Sequence, residues 1–550
     1  MASLNPLQGN LGQRRAAHLL RRTSYNFTRA RVDSMAGMSA EAALTFLLNL
    51  QSRQLDQPVY DDPATPNVEN LTWCLPIGTT FPAQDFVLRQ YVIGWWINEA
   101  LRDVGIGHKM AFFFHQYLTT TANTASNANF YDYLELLRWG ALGNFKKLVE
   151  KMITDNTMLR YLNNNENTKG NPNENFAREF FELFTIGKGP QVAPGDYTHY
   201  TEEDIVAAAR VFTGFRSVNN RSIIDPETGF PTGVAQIAQH DTGNKTFSAK
   251  FQQSVIIGGT NVAGMRNELT QIVDMVFRQK ETAKTLCRRL YRYFVHRNIS
   301  AEIESDIIGP LADTLLANNF EMKPVLTRLL SSVHFFDMDD SDNADEIVGG
   351  MIKSPLELCL QTLSFFQVPI PNPNTANRAH YQLFYGQTIN TRLFGGANFP
   401  IFFPSDVAGY PPYHQHPDYS RQWFNSSSII ARYKMPAIFL SGTTQIGANP
   451  NNPIGTKLNI APWVRSSGVI SDPKSANVVV EDLVNYLLPE GIDPARFDYF
   501  YQATFLDGLP PADWTYEWEN YLNTNNPTEV TIALERLVTA ILYSPEYQTF

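Results

Sequence analysis

The chain has 550 residues, 43% hydrophobic, 18% charged and 12% aromatic, with a formal net charge of -10. That length predicts two or three subdomains around one large core, and the acidic balance without a Lys/Arg stripe argues against a nucleic-acid partner, whose phosphates need a basic face. No apolar run approaches the roughly 20 residues that span a bilayer, and three widely spaced cysteines, Cys74, Cys287 and Cys359, read as buried or free thiols.

The first 22 residues carry no apolar h-region, so Arg14 and Arg15 do not form a twin-arginine signal. The expected location is the cytoplasm, or outside it if a signal-bearing partner carries the chain. Residues 11–22 read as an amphipathic helix with Arg14, Arg15, Arg21 and Arg22 on a solvated face. A second helix follows at 29–50, then a Pro- and Asp-rich loop at 57–82. A long apolar stretch runs from Phe86 to Tyr117 with a break near Gly105 and Gly107. Further helices are expected at 129–143, 144–155, 174–186 and 201–213.

From Phe215 to Gly258 the pattern changes to short alternating runs with turn residues, which predicts a small β-hairpin insertion. Helical periodicity returns over 264–296, 302–318 and 321–336. Residues 367–420 are rich in Pro, Asn and Gly and read as a long irregular loop packed on the helical body. The last helices fall near 421–434, 476–488 and 528–543. The fold class is therefore mainly α: a large multi-helix, bundle-like body with a β-hairpin insertion and a long irregular C-terminal loop region. Its parts are 1–215, 216–262, 263–366, 367–420 and 421–550, within one compact unit.

Polar residues concentrate between Arg160 and Gly187. There Asn171 at the N-cap, Pro172 at N1 and Glu174 at N3 suggest a capping box. Glu174, Arg178 and Glu182 recur at i, i+4 and i+8 with Glu179 on the adjoining stripe, opposite Phe176, Phe180, Leu183 and Phe184. Arg178 is placed to pair with Glu174 and Glu182. The preceding asparagines Asn163, Asn165 and Asn167 alternate as calcium-loop oxygens do, although asparagines also favour turns. His414 and His416 have the HxH spacing that aims two rings the same way on an extended segment, a zinc-type pair if a third ligand is near. His115 lies among aromatics, where a core histidine is the ordinary reading, and His240 is followed by Asp241. Thr201 and Asp204 read as a helix start. No nucleophile elbow, P-loop, HExxH or dinucleotide fingerprint is present.

Several segments together resemble a bacterial family known as domain of unknown function 1800. They include AAHLLRRTSYNFT (16–28), KMAFFFHQYLTT (109–120), the run from Tyr133 to Gly187, YTEEDIVAAARVFTGF (200–215), HDTGNKTF (240–247), CRRLYRYFV (287–295) and MIKSPLEL (351–358). FPSDVAGYPPY followed by RQWFNSSSIIARY resembles the family's closing motif, with Asp406 and Tyr410 where Asn and Trp are usual. The resemblance implies a mostly helical fold and a partner similar to the sulfatase and alkaline phosphatase superfamily. It marks His18, His115, Asn173, Glu174, Arg178, Glu179, Glu182, His240 and Asp241 as motif-matching candidates.

Two functions are expected from different classes. The first is an accessory or assembly protein that binds a phosphatase- or sulfatase-like partner or a surface polymer. The alternative is a metal-assisted hydrolase acting on an anionic or carbohydrate substrate. Its cleft would be lined by the Arg178/Glu182 helix, with Glu179, Glu182, His115 and His240 as catalytic candidates and Arg178 and Asp241 as substrate contacts. Calcium or zinc would be the divalent ion, through His414 and His416 or through Asn163, Asn165 and Asn167.

Overall fold

Helices begin in this chain where a short polar side chain can accept a backbone N–H just before an apolar-periodic run. Thr28, Ser39, Ser126, Asn144 and Asp155 do this for the helices that follow them. Thr201 and Asp204 form the expected reciprocal capping box. The computed structural model describes residues 2–49, 59–60, 71–72, 85–339, 347–371, 382–441 and 458–550. Cys74 and most of the 57–82 loop lie outside them.

The helices that position the site are, in order, α1 (Gly12–Thr23), α2 (Arg29–Ala36), α3 (Ala40–Leu48), α4 (Asp85–Arg102), α5 (Gly107–Tyr117) and α6 (Asn127–Gly140). They continue with α7 (Phe145–Ile153), α8 (Asn156–Tyr161), α9 (Glu174–Glu182), α10 (Glu202–Val211), α11 (Val262–Phe277) and α12 (Lys280–Phe294). The fold is mainly α. Among the described residues the β structure is four two-stranded antiparallel ladders. Two of them fall in the expected insertion: Phe215–Arg216 with Val234–Ala235, and Lys245–Thr246 with Val255–Ile256. The described part of 367–420 follows an irregular path interrupted by a 13-residue helix of π pattern at Gln382–Phe394 and a short helical turn at Pro411–His414.

One continuous cluster of buried apolar residues joins the N-terminal helices to the C-terminal ones. One consequence corrects the sequence reading of α1. Arg21 and Arg22 are not on a solvated face: they are 2% and 0% exposed. Arg21 donates to the carbonyls of Tyr486 at 2.7 Å and Leu488 at 2.9 Å, and Arg22 donates to that of Ile347. The second half of their helix, from Ala16 to Thr23, is buried on every side, and backbone carbonyls take the place of water.

The irregular segment is fastened to α5 and α6 by aromatic contact. Phe402 puts its ring 5.1 Å from those of Trp96 and His115 and 5.5 Å from that of Phe130. It holds φ at 61° to do so, a conformation a bulky residue adopts only under tertiary constraint. Gly409, at φ 101°, sits where a Cβ would meet the carbonyl of Gln116 at 3.0 Å. Only glycine allows that approach, and it brings the Pro411–His414 turn against α5.

Candidate functional site

The polar face of α9 is built differently from its sequence reading. The helix starts two residues later than the proposed cap: Asn173 is the N-cap and accepts from the N–H of Asn175, while Glu174 is the first helical residue. Arg178 reaches across to α10, donating to both carboxylate oxygens of Glu202 at 2.8 Å, with Glu174 at 3.4 Å. Glu182 instead accepts from the Tyr200 hydroxyl at 3.2 Å and faces Lys188 at 3.5 Å. Glu179 has no ion pair among the described residues. Burial, then the neighbouring charge of Glu182, push its carboxyl up to about 7, with Asp406 adding to the effect and Arg178 opposing it.

The histidine candidates belong to other networks. His240 is fully buried, with Nε2 2.9 Å from Glu268 and Nδ1 2.9 Å from the carbonyl of Thr213. Glu268 also accepts from Lys245 at 2.6 Å. Asp241 is held by Arg210 through two bonds of 2.7 and 3.2 Å. His115 is also fully buried, and burial holds it down at about 3, so the ring is neutral. Tyr133 donates to the carbonyl of Leu118, which assigns the proton between the two side chains to His115 Nδ1. His18 meets the carbonyl of Phe335 at 3.0 Å. No hydrogen bond or ion pair between the named side chains joins the α9, His240 and His115 groups to one another.

The asparagine loop is organised by its own backbone. Asn165 Oδ1 accepts from Ser217 N at 2.7 Å, and Asn167 Oδ1 from Asn173 N at 2.9 Å. Asn163 takes the left-handed conformation that turns the chain, φ 57°. His414 closes a helical turn, so the extended segment assumed for the HxH pair does not exist. His416 is exposed with its ring 6.1 Å from that of Tyr419. Among the described residues no group of three or more His, Cys, Asp or Glu is arranged to hold a metal ion.

Beside His414 the structure forms a cavity of about 140 Å³, against the roughly 10–15 Å³ that a single water needs. Its walls include Gln116 and Tyr117 from α5, Arg289 and Arg292 from α12, and Tyr413 and His414 from the turn, with no acidic residue. Neither arginine makes an ion pair or hydrogen bond with the described residues. Their guanidinium carbons lie over aromatic rings instead, Arg289 at 4.3 Å from Tyr117 and Arg292 at 5.0 Å from Tyr419. Burial holds both below the usual arginine range, and the positive charge of Arg292 lowers Arg289 further. Glu304, the acid whose charge reaches Arg292, is taken by Arg288 at 2.7 Å and Lys284 at 3.2 Å. Five buried polar atoms on these walls have no partner: Gln116 Nε2, Tyr117 Oη, Arg292 Nε, Tyr413 Oη and His414 Nε2. Four are donors, and the fifth is one in either the charged ring or one neutral tautomer.

Of this set the sequence reading singled out only His414. Arg289 and Arg292 lie three apart on α12, and no Asp or Glu stands three or four residues from either. That is the available signal: an arginine pair on one face of an aromatic-rich helix with no acid at pairing distance. Arg288, their neighbour, does have acids, Glu281 and Glu304.

A family model described as a protein of unknown function, DUF1800, matches residues 18–549. The chain belongs to that family. No curated protein and no solved structure matches it.

Proposed function

We propose that this DUF1800 protein acts by binding. It is an accessory or assembly protein that holds an acidic group of a phosphatase- or sulfatase-like partner, or of a surface polymer, in the cavity between α5, α12 and the Pro411–His414 turn. The observation that carries the reading is the pair Arg289 and Arg292, two half-buried cations facing a cavity whose lining contains no acid. Keeping two like charges out of water without a counter-charge is costly, and a ligand carboxylate, sulfate or phosphate offsets that cost. Affinity electrophoresis tests it. Gels containing an acidic polysaccharide are expected to retard the full chain relative to gels containing a neutral glucan, and the Arg289→Ala/Arg292→Ala variant is expected to migrate alike in both. Equal retardation of variant and parent removes this role for the cavity.

A second reading, hydrolysis of an anionic or carbohydrate substrate, is favoured by Glu179. A carboxyl near 7 exchanges its proton efficiently at neutral pH, and Asp406, whose charge reaches both Glu179 and His414, lies between α9 and the cavity in its electrostatic influence. Turnover of aryl phosphates and acidic oligosaccharides that disappears in Glu179→Gln, with binding intact, would support it. Turnover unchanged by that substitution would sink it.

A further inference from the structure

Resting on the reading of this cavity as an anion site, we infer that its ligand is a phosphate monoester. The donors reach the cavity from three separate elements: Gln116 and Tyr117 from α5, Arg289 and Arg292 from α12, and His414 from the turn. A carboxylate presents its lone pairs on two oxygens in one plane, which suits a single guanidinium fork and leaves the other walls unpaired. A phosphate monoester presents three terminal oxygens in a tetrahedron and carries about -1.5 to -2 at pH 7. Its shape meets three walls, and its charge matches two arginines. A sulfate ester has the shape and only one negative charge.

The arginines are prepared for that geometry. With one face of each guanidinium on a tyrosine ring, their planes are fixed and their N–H edges remain available, the arrangement in which arginine binds phosphate with little loss of rotamer freedom.

Charge behind the cavity adds to the preference. Through Arg292, Tyr293 and Tyr413 it adjoins a narrower recess that reaches Arg297 and Glu357. Around Glu357 lie Arg22, Lys109, Lys353 and Arg432, each at most 2% exposed, and Glu357 is the acid whose charge reaches all four. Burial holds Lys353 well below the usual lysine range, and the remaining three, Arg22, Lys109 and Arg432, about one carboxylate leave the floor positive. In a water-poor recess such a field favours a doubly charged ligand over a singly charged one.

Calorimetric titration of the full chain with phenyl phosphate, inorganic phosphate, phenyl sulfate and benzoate at constant ionic strength tests the inference. Phenyl phosphate is expected to bind at one site, about tenfold or more tighter than phenyl sulfate or benzoate, the difference one charge-assisted hydrogen bond makes. Inorganic phosphate binding as tightly as the ester would place the specificity in the free ion and overturn the ester assignment. Arg289→Ala and Arg292→Ala should each weaken phenyl phosphate about ten- to a hundredfold, with Arg292→Lys between them and the parent because charge remains and the fork is lost. Tyr117→Phe, which keeps the ring under Arg289, should weaken it by less. The midpoint of thermal unfolding should stay level or rise in the arginine variants, since each removes a half-buried charge without a counter-charge; a structural role would lower it. Equal affinity for phenyl phosphate, phenyl sulfate and benzoate overturns the inference, as does phosphate binding that survives both alanine substitutions. If acidic polysaccharide still retards the parent chain in an arginine-dependent way, the anion reading stands without the phosphate preference; if neither experiment shows binding, both fall.

Discussion

Glu179 differs from the other acids of α9 in lacking a cationic partner, and its stability contribution runs opposite to theirs. In the unfolded chain a glutamate titrates near ~4.3, whereas in the fold Glu179 is pushed up to about 7. Between those values the folded state binds more protons than the unfolded one, so stability falls as pH rises through the window. Glu179→Gln is expected to match the parent below pH ~4 and to exceed it above pH ~7. The gain should be about 1–2 kcal/mol, less than the full shift implies because the side chain is partly exposed to solvent. Urea unfolding of both proteins at pH 4.5, 6 and 8 measures the difference, and a constant difference across the three would show that Glu179 titrates normally. A raised carboxyl alone does not mark function. Asp155 is also pushed to about 7 by burial, yet it caps α8 by accepting from the N–H groups of Thr157 and Met158 at 2.9 and 2.8 Å. Glu179 is set apart by having no such structural employment.

At the scale of elements, the sequence is legible where one segment carries its own signal. The breaks at Gly105 and Gly107, the Thr201 start and the amphipathic run of α7 appear where periodicity and capping put them, while the run expected over 264–296 is two helices, α11 and α12, parted at Arg278 and Gln279. The expected helix over 29–50 is two, α2 and α3, because the chain turns at Gly37 and Ser39 caps a new start. The helix at Gln382–Phe394 has no such local signal; its hydrogen bonds follow the wider π pattern, which the 3.6-residue period does not report. Pairing between elements is where spacing misleads. For Arg178 the i±4 rule offers Glu174 and Glu182, whereas its bidentate partner is Glu202, 24 residues away on α10. The cavity is the extreme case, since Gln116, Arg289 and His414 come from three distant segments. Each side chain has an ordinary reading alone: a helix amide, a surface arginine, a turn histidine. The unsatisfied atoms that distinguish them exist only after α5, α12 and the Gly409 turn are packed together.

Across the whole molecule, Glu357 joins parts of the chain that no local rule connects. It closes a capping box with Ser354, accepting from Ser354 N at 2.7 Å, and forms an ion pair with Lys109 of α5. Its charge also reaches Arg22 of α1, Lys353 and Arg432. These side chains are buried in the core, where removing the one shared counter-charge leaves cations that water cannot reach. Glu357→Gln keeps the size and the capping geometry while removing the charge. At neutral pH it is therefore expected to cost about 3–5 kcal/mol, the range for breaking a buried pair from one side. The cause can be separated from a lost cap by a second substitution. Adding Lys109→Met to Glu357→Gln replaces the paired cation with a side chain of similar length and no charge, and replacing both members of a buried pair is tolerated far better than removing one. Denaturant unfolding of the two variants decides the matter. Recovery of most of the lost stability in the double variant assigns the loss to unbalanced buried charge at Lys109, whereas equal instability of single and double variants would assign it to the Ser354 cap or to Arg22, Lys353 and Arg432, which lack their shared counter-charge in both variants.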